Sequence, residues 1–353
     1  CATGLRPPSL RWLLFYHRRG RLVNLKQQAA AYFWFTSQDT DPVLNQSRNM
    51  CIILNKTAVV RMGAANLNAG FKMVRQWGQH IDGHIERFQF LTGSSLKLIA
   101  IFSMVIDHTC KIVLQWVLAN HWGVMVDHGQ MSWEQFQKID HLIRFDLQSI
   151  GTIAFPLFCF LLSEGFQHTR NRSRYIGSML LFAFLSELPF DIGFFSTYST
   201  KEGTFPFYPS YQNVFFTLFF GLSTLVCLER FSCGSRSGSG KIGPVFLQVL
   251  SIALFALLAE LIRCDYGMQG IFFIAAFYVC RGHRAGQVLL FLLAYMGTTG
   301  NQPPLCILLA CLLILLYNGQ RGKLKLKYFF YAFYPIHISI LYLITLQLEY
   351  FLT

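Results

Sequence analysis

Charge is scarce in this chain. Only 13% of its 353 residues are Asp, Glu, Lys or Arg, about half the ~25% usual in soluble domains. That shortage excludes most soluble enzymes and any disordered reading. Acid is scarcer still, with 17 residues against 30 basic ones and a net charge of +13. Paired-cysteine motifs are missing too. None of the ten cysteines forms a C-x-x-C and several sit inside apolar runs, so spacing supports neither a disulfide framework nor a zinc site. There is no H-E-x-x-H and no G-x-S-x-G, which leaves zinc hydrolysis and the serine nucleophile elbow without a motif. No period of 20–50 residues recurs, which excludes a repeat array. What is abundant is apolar: 53% of residues are hydrophobic, 16% are aromatic, and 35 are Phe. This is the composition of an all-α, polytopic transmembrane helical bundle.

Residues 1–90 stand apart from the rest. They hold 12 basic and 4 acidic residues, and their longest apolar stretch runs only from Ala29 to Phe35. That is too short to span a bilayer, which takes about 20 residues, and no small-residue cleavage site follows it. The segment is expected to be a poorly ordered basic extension, with Met50, Met62 and Met73 as alternative starts. Residues 91–353 form the membrane domain. Apolar segments fall near 96–119, 149–168, 175–190, 213–229, 244–262, 267–280, 286–299, 304–317 and 328–347, which predicts about nine spans. The sixth to eighth are short and must be distorted or extended into the interfaces.

The loops between them set an orientation. Residues 1–90 and the loops with Arg170, Arg172, Arg174, Arg230, Arg281, Arg284, Arg321 and Lys323 gather 24 basic residues on one side; the alternate loops hold four, beside seven acids. Positive loops stay inside, so the N-terminus is expected to be cytoplasmic. Insertion then accounts for the charge, and nucleic acid drops out as a partner. The run GSRSGSG at 234–240 is a flexible linker. It lacks the spaced glycine and the Ser or Thr of a phosphate loop.

Ionisable side chains inside a membrane cost several kcal/mol unless paired or hydrated, so they mark candidate function. Asp107 and Lys111 are one helical turn apart and are placed to pair. Lys97 and His108 are eleven residues apart and share a face about 16 Å apart along the axis. Glu164 lies at the depth of Lys97, and those two are expected to pair. Glu187 sits before Pro189, Glu260 near the outer end of the fifth segment, and Asn213 at the start of the fourth. His337 follows Pro335 in the last segment, within a turn of the depth of His108. Asp107, adjacent in sequence, points about 100° away around the helix, so a carboxylate from another helix, Glu187 or Glu260, is expected to orient His108. A neutral imidazole there suits proton removal from an amine or hydroxyl attacking an acyl carbon.

These residues fall in a recognisable order. Thr92–His108 (TGSSLKLIAIFSMVIDH), Ala154–Phe158 (AFPLF), Glu164–Arg172 (EGFQHTRNR), Asn213–Leu218 (NVFFTL), Asp265–Gly270 (DYGMQG) and Tyr331–His337 (YAFYPIH) resemble the TraX family of membrane proteins over about 91–347. The resemblance implies a multi-pass protein of the bacterial cytoplasmic (inner) membrane and, from the family's conjugation member, acetylation of a pilin N-terminus. A basic residue eleven positions before a first-helix histidine is also similar to the wider integral-membrane acyltransferases. That likeness implies a catalytic His108 and an acyl-CoA donor, acetyl-CoA here, on the cytoplasmic side. Lys97 stands where many of them carry Arg.

The expectation is thus an acyltransferase. His108, Glu187 and His337 form its catalytic set. Lys97, Glu164, Arg170, Arg172 and Arg174, or the loop 321–327, engage the donor, and Asp107–Lys111 is a structural pair. No metal is expected. The acceptor is an amine or hydroxyl on a peptide such as pilin or on an envelope glycan. A proton-coupled transporter and a non-enzymatic membrane assembly factor are the alternatives, since buried Asp, Glu and His also build proton relays.

Overall fold

The computed structural model describes residues 64–200, 208–234, 242–323 and 327–352. Residues 1–63 and most of the Gly-Ser linker, on which part of the sequence reading falls, lie outside the described residues. Among the described residues the regular structure is all helix, joined by loops that carry two isolated bridges. Its helices are α1 (Ala64–Ile85), α2 (Gly93–Asp127), α3 (Trp133–His168), α4 (Arg172–Thr200), α5 (Val214–Gly234), α6 (Ile242–Leu261), α7 (Gly267–Val279), α8 (Arg284–Thr299), α9 (Leu305–Leu315) and α10 (Lys327–Leu352). Six of them, α2 to α6 and α10, are long and apolar enough to cross a bilayer, and α7 and α9 are shorter apolar helices. The protein is a multi-pass helical membrane protein.

Local signals account for the helix ends. Thr92 caps α2, its hydroxyl accepting from the Ser95 N–H at 3.2 Å. Ser132 and Gln135 form a reciprocal capping box on α3. Asn171 accepts from the Arg174 N–H at 2.9 Å, and Gly300 (φ +69°) closes α8 in the left-handed region that glycine tolerates. The core gathers side chains fully removed from the surface, among them Leu96, Leu157, Phe160, Leu222, Ile274, Phe277, Phe291 and Ile338. Close helix contacts run through glycines: Gly221 faces Ile274, Gly270 faces Thr217 and Phe155, and Gly193 faces Ile338. Small residues at crossings let membrane helices approach without a hydrophobic drive between them. α6 does the reverse, presenting Phe246, Leu250, Leu254, Leu257 and Leu261 outward, as a lipid-facing helix does.

Two expectations change. Residues 64–90, assigned to a poorly ordered extension, include α1, which packs along α8. Gly78 sits against the backbone of Gly286, and Asp82 accepts from the Ala285 N–H at 2.9 Å, capping α8. Residues 120–148, read as a loop, are helical except for the turn between α2 and α3. At 35 and 36 residues these arms are each about 50 Å long, well beyond the ~30 Å hydrocarbon core. The projecting hairpin carries its own small core of Cys110, Leu118 and Ile143, flanked by Trp122, Phe136 and Ile139.

Candidate active site

The first and last membrane helices bring two histidines together. His108 closes the first regular stretch of α2, where a π-helical turn, Thr109–Leu114, begins. Such turns insert a residue into the helix and recur at functional sites. His337 lies on α10 two residues after Pro335, whose missing N–H frees a carbonyl one turn back. His108 Nδ1 and His337 Nε2 are 2.7 Å apart, and His337 Nδ1 is 2.8 Å from the Phe333 carbonyl oxygen. Both rings are buried, at 9% and 6% exposure. Edge-on contacts from Phe194 and Tyr334, with centroids at 5.3 and 5.7 Å, wall in the His108 ring.

A carboxylate cluster lies beside the pair. Asp107 Oδ2 is 2.7 Å from Lys111 Nζ and 4.0 Å from His108 Nε2, too long for a hydrogen bond to the imidazole. The expected orienting carboxylate is therefore absent among the described residues, and His337 occupies that position on His108. Glu187 instead accepts from the side-chain amide of Asn213 and, at 3.3 Å, from its backbone N–H. Glu260 accepts from the Met268 N–H at 3.3 Å. One turn on from Glu187, Asp191 accepts from the Tyr208 N–H at 2.8 Å. The other carboxylate oxygens of these two buried residues, Glu187 Oε1 and Asp191 Oδ1, meet no hydrogen-bond donor among the described residues.

Two loops complete the cluster. They are joined by Gln212 N–H to Arg263 O and Asp265 N–H to Gln212 O, and they hold Tyr211 Oη 3.0 Å from Asp265 Oδ1. Desolvation raises the Asp265 carboxyl to about 6, opposed by Lys111 and by the Tyr211 hydrogen bond. Arg263 (φ +56°) and Tyr266 (φ +62°) both adopt the left-handed region, a cost tolerated where surroundings over-determine a functional segment. Tyr334, on α10, stands edge-on to the His108 ring at 5.7 Å and to Phe215 at 5.3 Å.

The arginine-rich end has a different character. Lys97 does not pair with Glu164. Its ammonium lies 5.1 Å over the Phe330 ring, whereas Glu164 takes a two-pronged contact from Arg284 at 2.9 and 3.2 Å. Arg284 also donates to Gln287 at 2.8 Å and lies over the Phe160 and Tyr317 rings. Arg172 is engaged by Glu229 and lies over Phe166, while Arg170 and Arg174 are exposed. The loop with Arg321 and Lys323 is pinned to the start of α2: Gly93 N–H donates to Gln320 O at 2.8 Å and Ser94 Oγ to Arg321 O at 3.0 Å. Gly322 (φ +83°) fits there because a Cβ would strike Ser94 and Thr92.

Three participants are not legible in the sequence: Arg284 stands there as one loop cation among several, and Tyr211 and Tyr334 belong to no catalytic motif. A tyrosine two residues after Pro209 and one before Pro335 was the available signal. Among the described residues no three His, Cys, Asp or Glu side chains are grouped to hold a metal ion.

Fold and site together define a multi-pass helical membrane protein with a buried histidine pair beside an acidic cluster. The family model for the TraX protein matches residues 92–345, and the chain belongs to the TraX family. It is 29% identical over 262 residues to the probable fimbrial assembly protein FimC, serogroup H1, of Dichelobacter nodosus, covering 70% of this chain and 92% of the relative. No solved structure matches.

Proposed function

We propose that this protein is an integral-membrane acyltransferase that moves an acetyl group from acetyl-CoA to an amine or hydroxyl acceptor, with a fimbrial or pilin subunit as the preferred acceptor. The observation that carries the reading is the buried His108–His337 pair, set between a basic end and an acidic cluster. Donor phosphates are held at the basic end by Lys97, Arg321, Lys323, Arg170 and Arg174. The helical rise puts His108 about 16 Å deeper than Lys97 on the same helix, so the thioester must be carried inward from its phosphates. The acidic cluster supports an amine acceptor over a hydroxyl. Asp107, Glu187, Asp191 and Asp265 outnumber Lys111, and two buried carboxylate oxygens there meet no donor among the described residues, as suits a ligand that brings N–H groups and positive charge.

In the proposed step the acceptor nitrogen attacks the thioester carbonyl, forming the C–N bond. The proton it sheds passes to His108 Nε2, the nitrogen not engaged by His337. Collapse of the tetrahedral intermediate breaks the C–S bond, and the CoA thiolate leaves with that proton. The fimbrial assembly relative and the TraX family membership support a pilus subunit as acceptor, and the basic side is read as cytoplasmic.

The test is a thiol-release assay with purified protein, acetyl-CoA and a synthetic pilin N-terminal peptide. Acetylated peptide with the wild type, lost in a well-folded His108→Ala variant by ~10²- to 10⁴-fold, is the expected result. Near-normal transfer in that variant would overturn the reading. A solute flux into liposomes without acetyl transfer would favour a carrier.

A further inference from the structure

The histidine pair contains a proton count that fixes more than proximity. A carbonyl oxygen only accepts hydrogen bonds. His337 Nδ1, 2.8 Å from the Phe333 carbonyl, must therefore carry a hydrogen and donate it; a bare nitrogen there would set two lone pairs against each other. In a neutral ring the second nitrogen is then bare, so His337 Nε2 is an acceptor. At 2.7 Å from it, His108 Nδ1 must supply the hydrogen. With its hydrogen on Nδ1, neutral His108 has its lone pair on Nε2, the nitrogen turned toward Asp107.

The ring geometry agrees. The two imidazole planes are within 7° of each other with centroids 4.9 Å apart. Combined with an N···N distance of 2.7 Å, this describes two rings edge to edge in one plane, the arrangement an in-line N–H···N bond prefers. Phe333 lies nearly parallel to His337, at 11° and 5.0 Å, and Phe194 and Tyr334 bracket His108, so neither ring is free to turn over. The Phe333 carbonyl is the fixed end of the chain, held by α10 itself, one turn before His337.

We infer that His337 is a positioning residue: as a neutral hydrogen-bond acceptor it holds His108 in the Nδ1–H tautomer and so presents Nε2 as the reactive base. The inference rests on the acyltransfer reading for its purpose but not for its proof. A neutral partner matters chemically. When Nε2 takes a proton, the Nδ1–H can shift along the existing bond to His337 Nε2. Charge then spreads over two rings, while Asp107, already paired with Lys111, stays out of the proton chain. A carboxylate in the usual orienting role would instead hold the charge on His108.

The experiment reads the tautomer directly. Full-length protein with ¹⁵N-labelled histidine, reconstituted in lipid nanodiscs at neutral pH, is measured by solid-state NMR, and His108 is assigned by the signal lost in His108→Gln. The wild type is expected to show His108 with a protonated Nδ1, a bare Nε2, and a nitrogen–nitrogen coupling across the hydrogen bond to His337. His337→Phe keeps an aromatic ring in the Phe333 stack but offers no acceptor. It should erase the coupling, let His108 populate the Nε2–H form, and lower kcat by ~10²-fold or more with the acceptor KM unchanged. His337→Gln, which restores an acceptor oxygen, should return His108 to the Nδ1–H form and recover kcat to within about tenfold of wild type.

Finding His108 as the Nε2–H tautomer in the wild type, or as unchanged Nδ1–H in a folded His337→Phe, would overturn the inference. If the tautomers behave as expected and no acyl transfer is detected with any acceptor, the positioning role stands and the proposed reaction falls.

Discussion

Breaking the Glu164–Arg284 pair separates its structural role from any role in donor binding. Both groups are buried, with side-chain exposures of 9% and 15%, so solvent screens the pair weakly. Removing one partner of a buried ion pair costs roughly 3–5 kcal/mol, because the other charge is left uncompensated. The two ends differ in what remains. In Glu164→Gln the guanidinium still has Gln287 and two aromatic faces, which places the loss near ~3 kcal/mol. In Arg284→Met the carboxylate keeps, among the described residues, a 3.4 Å contact from Gln167, which places the loss nearer ~5 kcal/mol. Because the partners touch, the double variant should lose less than the sum, by up to about 3 kcal/mol. Thermal unfolding in detergent reads this: at about 2–4 °C per kcal/mol, Glu164→Gln should fall by roughly 6–12 °C. Lys97→Met, which removes a cation over one ring, should move the midpoint by only a few degrees. The reasoning fails if Arg284→Met is as stable as wild type, or if Lys97→Met and Glu164→Gln prove non-additive while Arg284 and Glu164 add.

Three further outcomes are expected. A Cβ at Gly151 would run into the Asp107 side chain, so Gly151→Ala should cost about 1–3 kcal/mol by overpacking and reduce transfer. Gly177→Ala, where no atom of the described residues beyond its own helix and neighbours lies within 4 Å, should do neither; an intact Gly151→Ala protein would contradict the close approach of α2 and α3. Truncating residues 1–63 should leave a folded product. Truncating to residue 90 also removes the Asp82 cap on α8, worth about 0.5–2 kcal/mol, and the α1 packing, so expression and thermal stability should fall together. Single cysteines placed at 169 and 320 should label from one face of the membrane and one at 130 from the other. Labelling of 169 and 130 from the same face would refute the course of α2 and α3.

Much of the fold was legible because membrane helices announce themselves within one window of sequence. The apolar runs from Leu96 onward each became a helix, and the Asp107–Lys111 contact followed from spacing on a single helix. What a hydropathy window misses is helix that leaves the membrane. The stretch 120–148 is polar enough to read as a loop, yet Ser132 and Gln135 form a capping box. Phe136, Ile139 and Ile143 follow at three- and four-residue steps, the stripe that packs on Cys110 and Leu118. α1 was hidden for another reason. Its contact with α8 runs through Gly78 and Gly286, and a residue without a side chain leaves no periodic mark.

The site was legible in depth but not in azimuth. Counting 1.5 Å per residue from the basic end puts Lys97 and Glu164 at one level, and only the rotation of separate helices decides that Glu164 meets Arg284 instead. The same arithmetic put His337 within a turn of His108, 229 residues apart in sequence, without saying whether their rings touch. The expectation of an orienting carboxylate failed on this point. Glu187 has a suitable depth, but α4 turns it toward Asn213, and the buried acceptor left for His108 is the imidazole that α10 delivers just past Pro335. A neutral acceptor also suits the setting. A further carboxylate beside Asp107, Glu187 and Asp265 would bring another charge into a medium that screens charge poorly, whereas a second imidazole orients the first without adding charge.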